Sequence, residues 1–239
     1  MTSNEKSKSA LERWEKAKAD GVPASEHILN ILKAGLGTAP FTGGIASLMT
    51  DYIPSARIQR LETFAEEVAE DLNRLQDRVD TDYIGTDDFA FMFEKCFRAA
   101  AENPQREKLE CFRGILVNSA IRKDLTEEEK EYFLSLVMSL STVHIRILRF
   151  MSTPEEYLQA AGIPAAKIQG GFSEFFPVAL PGIQIDVIKS AFADIHGYGL
   201  INTDRGIFGT ITAGQGLQLL RGRVTEFGTR FIGFCSVPT

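Results

Sequence analysis

The chain has 239 residues, 44% of them hydrophobic, and a formal net charge of −6, which supplies enough apolar side chain for one large core or two small ones. Its first thirty residues alternate charges and contain no apolar run, so they exclude a secretory-signal pattern there and set the expectation of a cytoplasmic protein. Residues 141–239 hold 8 Lys/Arg and 7 Asp/Glu, leaving −7 on residues 1–140: an acidic front half that repels nucleic acid, and a back half whose charge decides nothing.

A polar start, with a helix expected around Ala10 to Ala19, leads through Pro23 and Ser25 into a second helix carrying Ile28, Leu29, Ile31 and Leu32. The 17 residues between Lys33 and Asp51 are uncharged. As one helix they would span about 25 Å, short of the ~30 Å hydrocarbon core, and Pro40 with Gly43-Gly44 would break that helix. No G-K-[ST] closes the glycines, so a phosphate loop is excluded as well. Two short helices meeting at "TAPFTGG" account for the pattern, with Gly35, Gly37, Pro40, Phe41, Gly43 and Gly44 shaping a hairpin. A hairpin that leaves the bundle for a membrane surface is the alternative reading of the same residues.

From Arg57 onward, Ile58, Leu61, Phe64, Val68, Leu72, Leu75 and Val79 recur at helical spacing, predicting one amphipathic helix whose solvated face carries Glu62, Glu66, Glu67, Glu70, Asp71 and Arg74. Thr86 with Asp87 and Asp88 starts the next helix, with Phe89, Met92, Phe93, Cys96 and Phe97 inward. Asn103 and Pro104 are expected to cap and open a third, with Leu109, Phe112, Ile115, Leu116 and Ser119 inward. Thr126 and Glu129 form a capping box before "KEYFLSLVMSLS". Residues 56–140 thus read as a helical bundle.

After Ser141 the order changes. A helix to about Ser152, a short helix from Thr153-Pro154 to Gly162, a loop containing Gly170-Gly171, Pro177 and Pro181, and a helix presenting Ile185, Ile188, Phe192 and Ile195 precede strands expected at "YGLINT" and "LQLLRGRVT" and a last helix at "EFGTRFIGFC". The order, and the "GLI…VTEFGTRF" ending, resemble a winged helix. The fold class expected is mainly α: an N-terminal segment over 1–55, a helical bundle over 56–140 and a winged-helix-like α+β module over 141–239.

Two segments, "EKLECFRGILVNSAIRKDLTEEEKEYFLSLVMSLSTVHIRILRFM" and "LINT…RVTEFGTRFIGFC", together under half of the chain, resemble the bacterial Abi-alpha family, whose name ties it to abortive infection during phage attack. The resemblance implies a phage-defence component and brings no catalytic residue with it.

The residues themselves advertise no chemistry. His27, His144 and His196 sit on separate predicted helices without a zinc spacing, and His144 and His196 suit helix-end roles. Cys96, Cys111 and Cys235 are an odd number without C-x-x-C and read as buried thiols. Ser173 in "GFSEF" lacks the G-x-S-x-G frame, and "GYGLIN" lacks the third glycine of a dinucleotide loop. No catalytic residue, metal ligand or cofactor is expected, and the chain reads as a binding protein with a protein partner. DNA, bound by a winged-helix transcription regulator through its wing, a membrane surface and a second copy of the chain are the alternatives, as is a structural adaptor with none of these activities. For DNA or a partner, the candidate residues are Lys189, Arg205, Arg221, Arg223 and Arg230, with Asp186 and Asp194 unfavourable to phosphates.

Overall fold

Leu61, Phe64, Ala65, Val68 and Leu72 lie on one side of α1 (Ser55–Arg74) and are buried, as their three- and four-residue spacing dictates. The computed structural model describes residues 55–210 and 216–238; the expected N-terminal helices and the glycine-rich hairpin lie outside the described residues. After α1 come α2 (Thr81–Ile84), α3 (Asp87–Glu102), α4 (Arg106–Ile121), α5 (Glu127–Ser139), α6 (Thr142–Ser152), α7 (Pro154–Ala160), α8 (Phe172–Ala179), α9 (Ile185–Gly197) and α10 (Glu226–Phe234). Short 3-10 turns cover Gln76–Arg78, Ala165–Lys167, Arg205–Gly209 and Gly216–Leu220. The protein is mainly helical. No single described helix is long and apolar enough to cross a membrane.

Two compact units divide the described residues: those up to Ser135 with the tail from Cys235, and Leu136–Phe234. In the first unit, α1, α3 and α4 pack on one another. Thr86 caps α3 through a bond from the Phe89 N–H to its Oγ1 (3.3 Å), and Thr126 and Glu129 close the expected capping box on α5 with reciprocal 3.3 Å bonds. Every residue from Gly114 to Ala120 is buried, because α4 is covered on more than one side.

One of those covers is the tail. A Cβ on Gly114 would overlap the Cys235 carbonyl and lie 2.8 Å from the Ser236 nitrogen, so only glycine lets the backbone approach. One turn later Asn118 Nδ2 donates to the carbonyls of Gly114 (2.9 Å) and Ser236 (2.8 Å). Cys96, Cys111 and Cys235 are free and buried.

Four local expectations for the first unit are corrected. The first helix ends at Arg74 rather than at Val79, because a 3-10 turn and an extended Val79 follow. Asn103 terminates α3, its Nδ2 bonding Ala99 O at 2.8 Å, and Gln105 rather than Asn103 precedes α4. Phe93, expected inward, is only half-buried, and its neighbour Phe91 faces outward at 41% exposure beneath Lys95. Asp71 is 7% exposed instead of solvated, since Arg113 and Arg74 both reach it.

The second unit is built around phenylalanine. Phe150 on α6, Phe172, Phe175 and Phe176 on α8, Phe192 on α9 and Phe208 on a 3-10 turn are all buried, with ring centroids 5.1–6.0 Å apart in mostly tilted or edge-on pairs. Such pairs add about 0.5–1.5 kcal/mol each beyond their burial. This cluster explains why the expected loop around Pro177 is a helix. Glu174 reaches back to the Gly171 N–H, α8 needs only eight residues, and its Phe172, Phe175, Phe176 and Ala179 side all face the core.

The α+β expectation is corrected: no strands form among the described residues. A single antiparallel bridge, Ile201 to Val224, stands where two strands were expected, with Asn202 N–H bonded to Arg223 O (2.9 Å) and Thr225 N–H to Leu200 O (3.1 Å). The ladder stops because Asp204 caps the Arg205–Gly209 turn on one side, while Gly216–Leu220 is already a 3-10 turn on the other. Thr225 then caps α10, accepting the Gly228 N–H at 2.9 Å.

Candidate interaction surface

Lys189 and Arg223 are drawn to the same aromatic cluster from opposite directions in sequence. Lys189 Nζ lies 5.8 Å from the centroid of Phe208, and the Arg223 guanidinium 5.4 Å from that of Phe172, while the two rings meet at 5.6 Å. Arg223 also donates through Nε to Leu219 O and through Nη1 to Thr203 Oγ1 at 2.8 Å. It fastens the loop around the bridge and is not a solvent-directed cation.

Arg205, Arg221 and Arg230 have exposed side chains, with Arg221 beside Gly222 in the left-handed region (φ 66°) and on the rim of a groove of about 470 Å³. The five residues expected to act together therefore split by role. Arg223→Ala is expected to lower the stability of the second unit by about 1–3 kcal/mol, and Arg221→Ala by less than about 0.5 kcal/mol, read as shifts of the urea midpoint. Equal shifts would remove the distinction.

The outward side of α9 presents Asp186, Val187, Ser190 and Asp194, followed by Tyr198; Val187 is 45% exposed and Tyr198 41%. Asp194 Oδ2 is 3.1 Å from His144 Nε2, and His144 Nδ1 is 2.7 Å from Ser141 Oγ and 3.0 Å from the Ser141 nitrogen. Because Nδ1 accepts the backbone N–H, Nε2 carries the proton and donates to Asp194. Serine, histidine and aspartate are thus in line, but with serine on Nδ1 and aspartate on Nε2. The group closes the N-terminus of α6 by a Ser141–His144 capping box and ties it to α9. Ser173 is likewise spent on structure, its hydroxyl donating to Phe208 O. His196 lies in the last turn of α9. Among the described residues no three His, Cys, Asp or Glu side chains converge as metal ligands would.

Comparison with protein families, with curated proteins and with solved structures found no match.

The hairpin residues Gly35, Gly37, Pro40, Phe41, Gly43 and Gly44 lie outside the described residues. In the first unit, two charged groupings that the sequence reading did not single out come into view. Lys130, 3% exposed, lies 2.7 Å from Glu127 Oε1 and 4.0 Å from the Tyr83 ring centroid, and Tyr83 Oη donates to Glu127 Oε2 at 2.6 Å. Burial, then the Glu127 carboxylate, pushes the Tyr83 phenol's pKa up, so this hydroxyl keeps its proton and serves as a fixed donor. The second grouping is a groove between α1 and α4 lined by Arg60, Arg106 and Arg113.

Proposed function

We propose that this chain is a non-catalytic, cytoplasmic bacterial protein that acts by binding another protein, as a phage-defence component of the abortive-infection type. The defence assignment rests on the sequence resemblance. The binding mode is supported by one observation: the outward side of α9 mixes two carboxylates, Asp186 and Asp194, with the exposed apolar side chains Val187 and Tyr198. Carboxylates oppose phosphates, whereas an exposed aromatic beside polar groups suits a protein surface. Lys189, the cation of that helix, leans on Phe208.

DNA binding by a transcription regulator is the second reading, favoured by the exposed positions of Arg205, Arg221 and Arg230. Phage challenge of cells expressing the chain separates the two. Protection is expected for the wild type, lost in Val187→Glu/Tyr198→Glu and kept in the triple Arg205→Ala/Arg221→Ala/Arg230→Ala variant. The reverse pattern, with salt-dependent duplex binding by the purified protein, would favour the regulator. No protection by the wild type would remove the defence role.

A further inference from the structure

Arg60 on α1 and Arg106 and Arg113 on α4 line one groove of about 390 Å³ in the first unit, and its floor is apolar: Phe64 is 2% exposed and Leu109 half-buried. The volume lies at the lower end of small-ligand sites. Within the groove Glu67 and Glu110 offset two of the three positive charges, leaving an excess of one.

Carboxylates contact two of the three arginines, Arg113 and Arg106, and a backbone carbonyl the third. Arg113 Nη1 donates to Glu67 Oε2 at 2.8 Å, and its Nε lies 2.8 Å from Oδ2 of the buried Asp71. Neither Nε nor Oδ2 completes an aligned hydrogen bond, so charge holds that contact. Asp71 in turn receives Arg74 Nη2 at 3.0 Å. Arg106 Nε donates to Glu110 Oε1 at 2.9 Å, and Arg60 Nη1 to Ala101 O at 3.2 Å at the end of α3. A guanidinium carries five N–H groups, so each arginine keeps donors beyond those contacts; the Arg113 head is held by two carboxylates, while the Arg106 side chain is 89% exposed.

We propose that this groove binds a small organic phosphate. Arginine forks match phosphate oxygens, three arginines line the one groove, and the Phe64 and Leu109 floor gives the organic part an apolar seat. The size of the ligand follows from the charge around it. Residues 1–140 carry −7, so a long polyanion would be repelled by the surface beyond the groove, whereas a compact anion meets only the local excess. This inference does not depend on what α9 contacts.

Isothermal titration of the full chain with ADP and with pyrophosphate, at matched ionic strength, tests it. Saturable binding is expected for both, with ADP tighter, and Arg106→Gln and Arg60→Gln are each expected to weaken it about tenfold, the scale of one charge-assisted hydrogen bond. Both residues line the groove, and circular dichroism checks that the helices persist; Arg113→Lys, which keeps the charge but loses the fork, should weaken binding with the fold intact. Absence of saturable binding would overturn the proposal, as would undiminished affinity in the folded Arg60 and Arg106 variants. Citrate binding as tightly as ADP would overturn the phosphate assignment.

Discussion

Phe176→Ala is expected to destabilise the second unit by about 3–5 kcal/mol, the range for removing a buried phenylalanine ring. Phe176 is fully buried and touches five other rings: Phe150, Phe172, Phe175, Phe192 and Phe208. Those neighbours come from α6, α8, α9 and a 3-10 turn, so no single element can slide in to fill the space. Part of the loss is the ring's own transfer from water, about 1.5–3 kcal/mol, and the rest is the cavity left behind. Urea denaturation followed by circular dichroism gives the number. A loss below about 1 kcal/mol would mean that the cluster closes over the gap and that the ring contacts do not organise this core.

Gly228→Ala should be almost as damaging, for the opposite reason. A Cβ there would overlap the Leu200 carbonyl oxygen and lie 3.0 Å from both the Leu200 carbonyl carbon and Val224 Cγ1. That contact is where α10 rests on the single β-bridge, so backbone must move, at an expected cost of about 1–3 kcal/mol or more. Gly233 on the same helix supplies the control, since a Cβ there meets nothing within 4 Å. Gly233→Ala should instead stabilise by about 0.5–1 kcal/mol through helix propensity. Thermal melts of the two variants should therefore shift in opposite directions; two shifts of the same sign would contradict the close approach at Gly228.

The helices were legible where one side alone is apolar. Leu61, Phe64, Val68 and Leu72 announce α1, and Thr86, Thr126 and Glu129 announce helix starts through hydrogen bonds that reach only three residues. The failures have physical causes of longer range. Pro177 suggests a loop, but a lone proline is outweighed when Phe172, Phe175 and Phe176 on the same short helix are buried together. "YGLINT" has strand-like residues, yet Asp204 and the turn after it divert the chain before a ladder can grow.

The candidate sites were less legible still. Arg223 looks like Arg221 in sequence, and only the fold shows that one lies on Phe172 while the other is exposed. For the arginine groove a faint signal exists: Arg60 and Glu67 are seven residues apart, as are Arg106 and Arg113, so each pair shares a helix side. That the two sides meet depends on how α1 and α4 pack, which neither helix encodes alone.

The tail held by Gly114 and Asn118 makes the first unit discontinuous in sequence: its last piece, from Cys235, is separated from Ser135 by the whole of Leu136–Phe234. During synthesis at about 5–20 residues per second, that intervening stretch takes on the order of 5–20 s to emerge. Throughout that interval the surface of α4 at Gly114 has no tail to cover it, and the stretch being made is the phenylalanine-rich unit itself. The order of the chain thus sets the order of supply: the unit that begins before Leu136 cannot be completed until Phe234 has been made, because its buried Cys235 follows.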